Sequence, residues 1–332
     1  MIKKIKSDTV VWGVMGAGDV CEKKSAPAMY KIPNSKIKAV MRRNIVKAED
    51  FARRHNVPYW FDSVDRILSD PEINAVYIAT PPDSHAELTI KAAQAGKAVY
   101  VEKPMARTYS ECKTMVEACE KAGTPLFVAY YRRALPKFVK LKELINSGAI
   151  GEVRMIHIEM IKTLVPDAIA TSESNWRVLP EISGGGYFHD VASHQLDLMD
   201  FLFGPVKQAA GLTANQARVY PADDIVTATF SFDNNILATG NWCFTASKVS
   251  QREVTTITGS EGKIEYSTFG DTPLTVESEI VGKQSFEFIS PEHIEGPMIE
   301  LVVNDLLGKA SCPCPGTVGA RTSKVMEMIC NR

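Results

Sequence analysis

Hydrophobic and polar positions follow two different rhythms along this chain. Up to Ala129, short apolar runs bounded by turn residues or proline alternate with stretches of helical spacing. That alternation is the pattern of a parallel sheet wound with helices. It predicts strands at Thr9 to Met15, Lys36 to Met41, Asn74 to Ala79, Ala98 to Val101 and Pro125 to Ala129. Helices are predicted at Asp19 to Tyr30, Ile45 to His55, Asp83 to Ala95 and Ser110 to Ala122, the last two stopped by Gly96 and Gly123 as C-terminal caps. Beyond Ala129 the rhythm changes. A helix near Pro136 to Ser147 leads into a long strand, Glu152 to Ile161, then a loop around Pro166 to Pro180 and a helix from about Tyr187 to Phe203. From there the chain reads as strands: Val206 to Ala214, Ile225 to Phe232, Ile236 to Phe244, Arg252 to Thr258, Lys263 to Tyr266, Leu274 to Ile280 and Ser285 to Phe288. Asp233-Asn234-Asn235 marks a hairpin turn, because Asp and Asn tolerate the positive φ that tight turns need. Consecutive hairpins imply a large, mostly antiparallel open sheet, closed by helices at Met298 to Leu307 and Val318 to Cys330.

Length supports a division. A chain of 332 residues with 45% apolar content exceeds the usual single core. The expected domains are 1–129, a doubly wound α/β domain, and 130–332, an α+β domain built on the open sheet. A formal net charge of -1 leaves no electrostatic footprint for nucleic acid or an anionic membrane, so the expected partners are small molecules. Met1 to Lys6 is basic, but the apolar run after it is too short for a signal peptide, and no segment approaches the ~20 apolar residues of a membrane span. The expectation is a cytoplasmic protein. Seven scattered cysteines without a CxxC pair fit reduced thiols and no metal site. Cys312-Pro313-Cys314-Pro315 reads as a surface connection between helices.

Gly13 to Cys21 follows a strand and opens a helix, the context in which a glycine turn lets backbone amides meet a pyrophosphate. Gly16 and Gly18 take the first two fingerprint positions, Asp19 and Val20 open the helix, and Cys21 stands in the third position. The second strand ends in Arg42-Arg43 instead of a carboxylate. Two guanidiniums suit a 2′-phosphate, so NADP is preferred over NAD. Thr80-Pro81-Pro82 forms a rigid loop at the ligand edge of the sheet, with His85 in the following turn; that histidine reads as structural although it lines the same edge.

The chemistry-bearing residues are Glu102-Lys103-Pro104 at the end of a parallel strand and, after Gly184-Gly185-Gly186, Asp190 and His194 at i, i+4 spacing. Hydride leaves a carbinol most readily as its hydroxyl proton departs, which calls for a base near that oxygen. Imidazole, with an unperturbed pKa of ~6.5, suits both directions. Lys103 can donate to the reacting oxygen or act as the base itself, and Asp190 can hold a neighbouring hydroxyl or orient the imidazole. Pro104 is a candidate for a cis bond. The glycines remove side chains where the backbone would approach a ligand. Trp176-Arg177, Tyr131-Arg132 and His189 are candidate substrate contacts; His189 suits packing equally well.

These motifs occur together and in order over essentially the whole chain, which resembles the glucose-fructose oxidoreductase / inositol dehydrogenase (Gfo/Idh/MocA) family. The resemblance implies a Rossmann domain followed by an open-sheet domain, an NAD(P)-dependent oxidoreductase of sugars, cyclitols and related diols, and Lys103, Asp190 and His194 as its catalytic set. Glu102 would lie with Lys103 beside the cofactor. Cys21 and His189 depart from the family's usual pattern. Relatives of this fold also include NAD-dependent glycosidases and nucleotide-binding sensors or co-repressors, which remain alternatives. An open antiparallel sheet leaves a broad face to be covered, and the expected assembly is a homodimer or a dimer of dimers.

Overall fold

The computed structural model describes Ile5, residues 7–164 and residues 175–331. Ten residues of the expected loop around Pro166 to Pro180, 165–174, lie outside the described residues. The chain separates into two compact units: Met1–Ala134 with Pro291–Ala320, and Leu135–Ser290 with Arg321–Arg332.

The first unit is built on a six-stranded, wholly parallel sheet in the order β3-β2-β1-β4-β5-β6. Its strands are β1 Val10–Met15, β2 Ser35–Met41, β3 Tyr59–Phe61, β4 Ala75–Ile78, β5 Ala98–Val101 and β6 Leu126–Val128. The strands β1, β4, β5 and β6 are buried along their full length, as expected of a sheet covered by helices on both faces. Trp12, fully buried, places its indole N–H 3.0 Å from Ser35 Oγ and so leaves no donor stranded in the core. The edge strand β3 and the helix Val64–Leu68 carry no legible periodicity, since three half-exposed residues cannot display an alternation.

The helix after β1 departs from the regular helix expected over Asp19 to Tyr30. Cys21–Ser25 forms a π-turn and the α-helix resumes at Ala26–Lys31. Pro27 stands at the start of that second segment and has no N–H to carry the i→i−4 ladder through, so the register changes just before it.

Residues 291–320 return to this first unit, where the sequence pattern assigned everything after Ala129 to the second domain. Glu295 reaches Tyr77 of β4, and Pro315 bridges Phe127 of β6, so the returning segment covers the free edge of the parallel sheet. The Cys312 to Pro315 connection is accordingly a strap with both cysteines buried and both prolines half-buried, with Cys314 O accepting from Val128 N at 3.1 Å.

The second unit holds an eight-stranded sheet in the order β14-β13-β12-β11-β7-β10-β9-β8. The strands are β7 Val153–Ile161, β8 Val206–Ala214, β9 Ile225–Phe232, β10 Leu237–Cys243, β11 Arg252–Gly259, β12 Gly262–Tyr266, β13 Leu274–Ser278 and β14 Gly282–Phe286. All neighbours are antiparallel except β7 and β10. The last hairpin turns earlier than expected, because Gly282 takes φ +70° and brings the chain round before Ser285. Inward positions such as Ile156, Ile158, Met160, Phe230 and Trp242 are buried, while alternate residues face outward. No helix among the described residues is long and apolar enough to cross a membrane.

Candidate active site

In the first unit the glycine turn is shaped by two different constraints. Gly16 has φ +88°, and a Cβ there would lie 2.8 Å from Thr80 N and 2.9 Å from Ala79 C. Glycine is required at Gly16 by the protein itself. At Gly18 a Cβ would meet nothing nearer than Gly16 O at 3.8 Å, so protein packing does not impose glycine there. Asp19, Val20 and Cys21 follow as the first residues of a helical run, where amides have no carbonyl of their own helix to bond. An open glycine followed by such amides is the cradle a pyrophosphate needs, and the site fits a dinucleotide. Cys21, in the third fingerprint position, is fully buried; burial pushes its thiol pKa far up, which keeps it a neutral packing group. Arg42 and Arg43 follow β2, Arg43 exposed and Arg42 half-buried with its amide on Phe61 O.

His85 joins the loops of the ligand edge. Its Nε2 lies 2.7 Å from Thr80 O, and its Nδ1 lies 3.1 Å from Pro104 O and 3.2 Å from Met105 O. Ser84 Oγ adds bonds to Thr80 Oγ1 at 2.7 Å and Pro81 O at 2.9 Å. Burial depresses the His85 pKa, so the ring is neutral and carries one N–H: it donates to the carbonyl side of one loop and packs against the other, bridging the Thr80-Pro81-Pro82 and Glu102-Lys103-Pro104 loops as a clasp. The Lys103–Pro104 bond is cis. Glu102 turns its carboxylate inward: Oε1 accepts from the Tyr77 hydroxyl at 2.6 Å and Oε2 from the Lys103 amide at 3.1 Å. Tyr131 and Arg132 are buried, with the guanidinium stacked 4.8 Å from the ring centroid.

In the second unit Asp190 and His194 do not share one regular helix. Phe188–Ala192 is a π-turn and the α-helix begins at Ser193. The i, i+4 and 3.6-residue geometry expected for Asp190, His194 and His189 is therefore altered, as π-turns often are at functional sites. Arg177 Nε donates to Asp190 Oδ2 at 3.1 Å, with each side chain 12% exposed, and the same guanidinium stacks 4.4 Å from the Trp176 ring. Trp176, Arg177 and Asp190 thus form one group. The glycines before them have a protein cause. A Cβ on Gly185 would collide with the His189 ring and one on Gly186 with Ala222 Cβ, while Gly184 and Gly186 take φ +88° and +76°. The run is needed for internal packing, where the sequence pattern suggested close approach to a ligand.

His194 is held by a network that no sequence motif announced. The Phe269 ring packs edge-on against its imidazole at 5.8 Å between centroids. Phe269 N donates to Glu253 Oε2 at 3.2 Å and Thr268 N to Glu253 Oε1 at 3.0 Å; Ser267 Oγ and Gln195 Nε2 also donate to that carboxylate. Gln195 Oε1 in turn accepts from Trp242 Nε1 at 2.7 Å. A weaker signal was present: Glu253 pairs in register with inward-facing Met160, so it is an acid on the core side of a strand. Such a group must find several donors.

Comparison with known proteins agrees with this architecture. Residues 10–130 match the oxidoreductase family with an NAD-binding Rossmann fold (Gfo/Idh/MocA), and residues 138–265 match the Gfo/Idh/MocA C-terminal domain. The chain is 40% identical to an oxidoreductase of Formosa agariphila over 96% of this chain and 98% of that protein. It is 25% identical to trans-1,2-dihydrobenzene-1,2-diol dehydrogenase of Bos taurus over 81% of this chain and 78% of the relative. In fold it is similar to levoglucosan dehydrogenase in complex with NADH, with TM-score 0.85 and 22% identity over 97% of this chain and 96% of that one. Taken with the glycine cradle and the two matched halves, this makes the chain a member of the Gfo/Idh/MocA family of NAD-binding oxidoreductases.

Proposed function

We propose that this oxidoreductase transfers a hydride between NADP(H) and a secondary hydroxyl or carbonyl of a sugar, cyclitol or trans-diol. The bound nicotinamide supplies the hydride acceptor or donor; the protein supplies proton transfer and orientation. His194 or Lys103 takes the hydroxyl proton, and the other group donates to the reacting oxygen. Asp190, anchored by Arg177, accepts from an adjacent substrate hydroxyl, a role that suits a diol and accords with the diol dehydrogenase among the relatives. Glu102 supports Lys103 through its amide. Trp176, Tyr131, Arg132 and His189 are assigned to substrate contact or its support.

The observation that carries this reading is the amount of structure devoted to holding two side chains. Asp190 is fixed by a stacked arginine and His194 by a ring clamped over Glu253, an arrangement with no purpose on an idle helix. NADP preference rests on Arg42 and Arg43 at the end of β2, where no carboxylate stands to meet ribose hydroxyls. Both parts are tested by turnover at the nicotinamide absorbance across a panel of polyols and ketoses. Lys103→Met and His194→Asn are each expected to lower kcat by about 10²–10⁴-fold. Arg42→Ala is expected to raise KM for NADPH while leaving that for NADH nearly unchanged. Undiminished turnover in both catalytic variants would overturn the mechanism, and a native preference for NADH would overturn the coenzyme assignment.

A further inference from the structure

The inward side of the Glu102-Lys103-Pro104 turn holds a second buried acid. Glu295 is 1% exposed and Glu102 7%, and a single phenol stands between them: the Tyr77 hydroxyl is 2.6 Å from Glu102 Oε1 and 3.4 Å from Glu295 Oε2. A phenol carries one proton and can donate it once. The shorter contact takes that proton, so the contact to Glu295 is a hydrogen bond only if Glu295 is the donor. The two acids are not equivalent. Burial raises the pKa of Glu102 too, but Glu102 receives two donors, the Tyr77 hydroxyl and the Lys103 amide, and both favour its ionised form. Glu295 precedes the helix Gly296–Leu306 yet makes no capping bond to it, and it lies beside an ionised neighbour.

We propose that Glu295 is a positioning residue for Lys103: it holds a proton, donates it to Tyr77, and through Tyr77 and Glu102 fixes the main chain at Lys103. The inference rests on the proposed role of Lys103. The relay runs in one direction, from the Glu295 carboxylic acid to the Tyr77 oxygen, from the Tyr77 hydroxyl to the Glu102 carboxylate, with the second Glu102 oxygen on the Lys103 amide. No proton is transferred and one negative charge is held by the pair. The titratable groups facing Glu295 are Tyr77, Tyr100, Cys21, Glu102, Lys24 and Lys103. Burial first, then the Glu102 charge, raise the Glu295 pKa well above the ordinary carboxyl range, while the two lysines oppose this. Burial likewise raises the Tyr77 and Tyr100 pKa, so both phenols stay neutral.

Infrared difference spectroscopy of the full chain at neutral pH tests the proton's location without reference to activity. The native protein should show a protonated-carboxyl C=O band that disappears in Glu295→Gln. Persistence of the band would put the proton on Glu102, and its absence from the native protein would show both acids ionised; either overturns the proposal. Kinetics test the positioning. Glu295→Ala should lower kcat about tenfold or more with little change in coenzyme KM. Glu295→Gln, which keeps a donor, should recover most of that loss. Equal kcat in the Ala and native proteins, or equal loss in Ala and Gln, would overturn the positioning role. Lys103→Met serves as the separate control: if it retains turnover, the assignment of Lys103 has failed whatever the infrared result.

Discussion

Two glycines in the same turn, with a single residue between them, answer to different constraints. Gly16 is fixed by φ +88° and by main-chain atoms of Ala79 and Thr80 that a methyl group would approach to under 3 Å, whereas at Gly18 the nearest atom is a carbonyl oxygen at 3.8 Å. Gly16→Ala should destabilise the protein by on the order of 1–3 kcal/mol, visible as a lower melting temperature without coenzyme. Gly18→Ala should leave the apo stability within about 0.5 kcal/mol of native while weakening coenzyme binding in a fluorescence titration. A matching loss of stability in both variants would show that the turn serves packing alone. The same contrast explains what could be read in advance. Gly16, Gly18, Lys103, Asp190 and His194 carry local sequence patterns that single them out as candidates. Glu253 and Tyr77 act through partners far along the chain, Glu295 being 218 positions from Tyr77, and no local spacing announces such a meeting.

Elements explain why loops at the sheet's ligand edge stay in place. His85 begins the helix His85–Gln94, yet its ring lies between carbonyls of the turns after β4 and β5 and donates its one N–H to one side of that gap. Because the ring is buried and its pKa depressed, the folded state resists protonation that the unfolded chain accepts. Stability from this residue is therefore complete above the unfolded value of about 6.5 and is lost as pH falls through the window between that value and the depressed folded one. His85→Phe should cost about 1–3 kcal/mol at neutral pH and flatten the acid side of a denaturation-versus-pH curve. An unchanged acid slope would remove the clasp from the account. Strands and long helices were legible because their periodicity is long; the π-turns at Cys21–Ser25 and Phe188–Ala192 were not, since one extra residue in a turn leaves the apolar spacing almost intact. The turn ahead of Pro27 could have been inferred from that proline.

At the scale of the whole molecule the sequence left open what covers the outer face of the eight-stranded sheet. Alternation sets Met155, Leu237 and Leu212 on that face, 48%, 62% and 78% exposed, beside Thr227, Thr229 and Thr239. Threonines and isolated large apolar groups make a flat surface suited to a second copy of itself. Light scattering should report a dimer or a dimer of dimers, and Leu212→Lys combined with Leu237→Lys should lower the mass to a monomer. A native monomer at working concentration would dismiss this assembly. The domain boundary itself was only half legible, because the return of residues 291–320 to the first unit is a long-range event.

That return also sets the order in which the chain can mature on the ribosome. By the time Ser290 has emerged, all six parallel strands have been made, yet the strap over β6 and the acid that meets Tyr77 are still to come. The coenzyme-binding half, although its sheet is encoded first, cannot finish folding as an N-terminal unit during synthesis. It must wait with an open edge while the whole eight-stranded sheet is translated, and is completed only by the segment that follows that sheet.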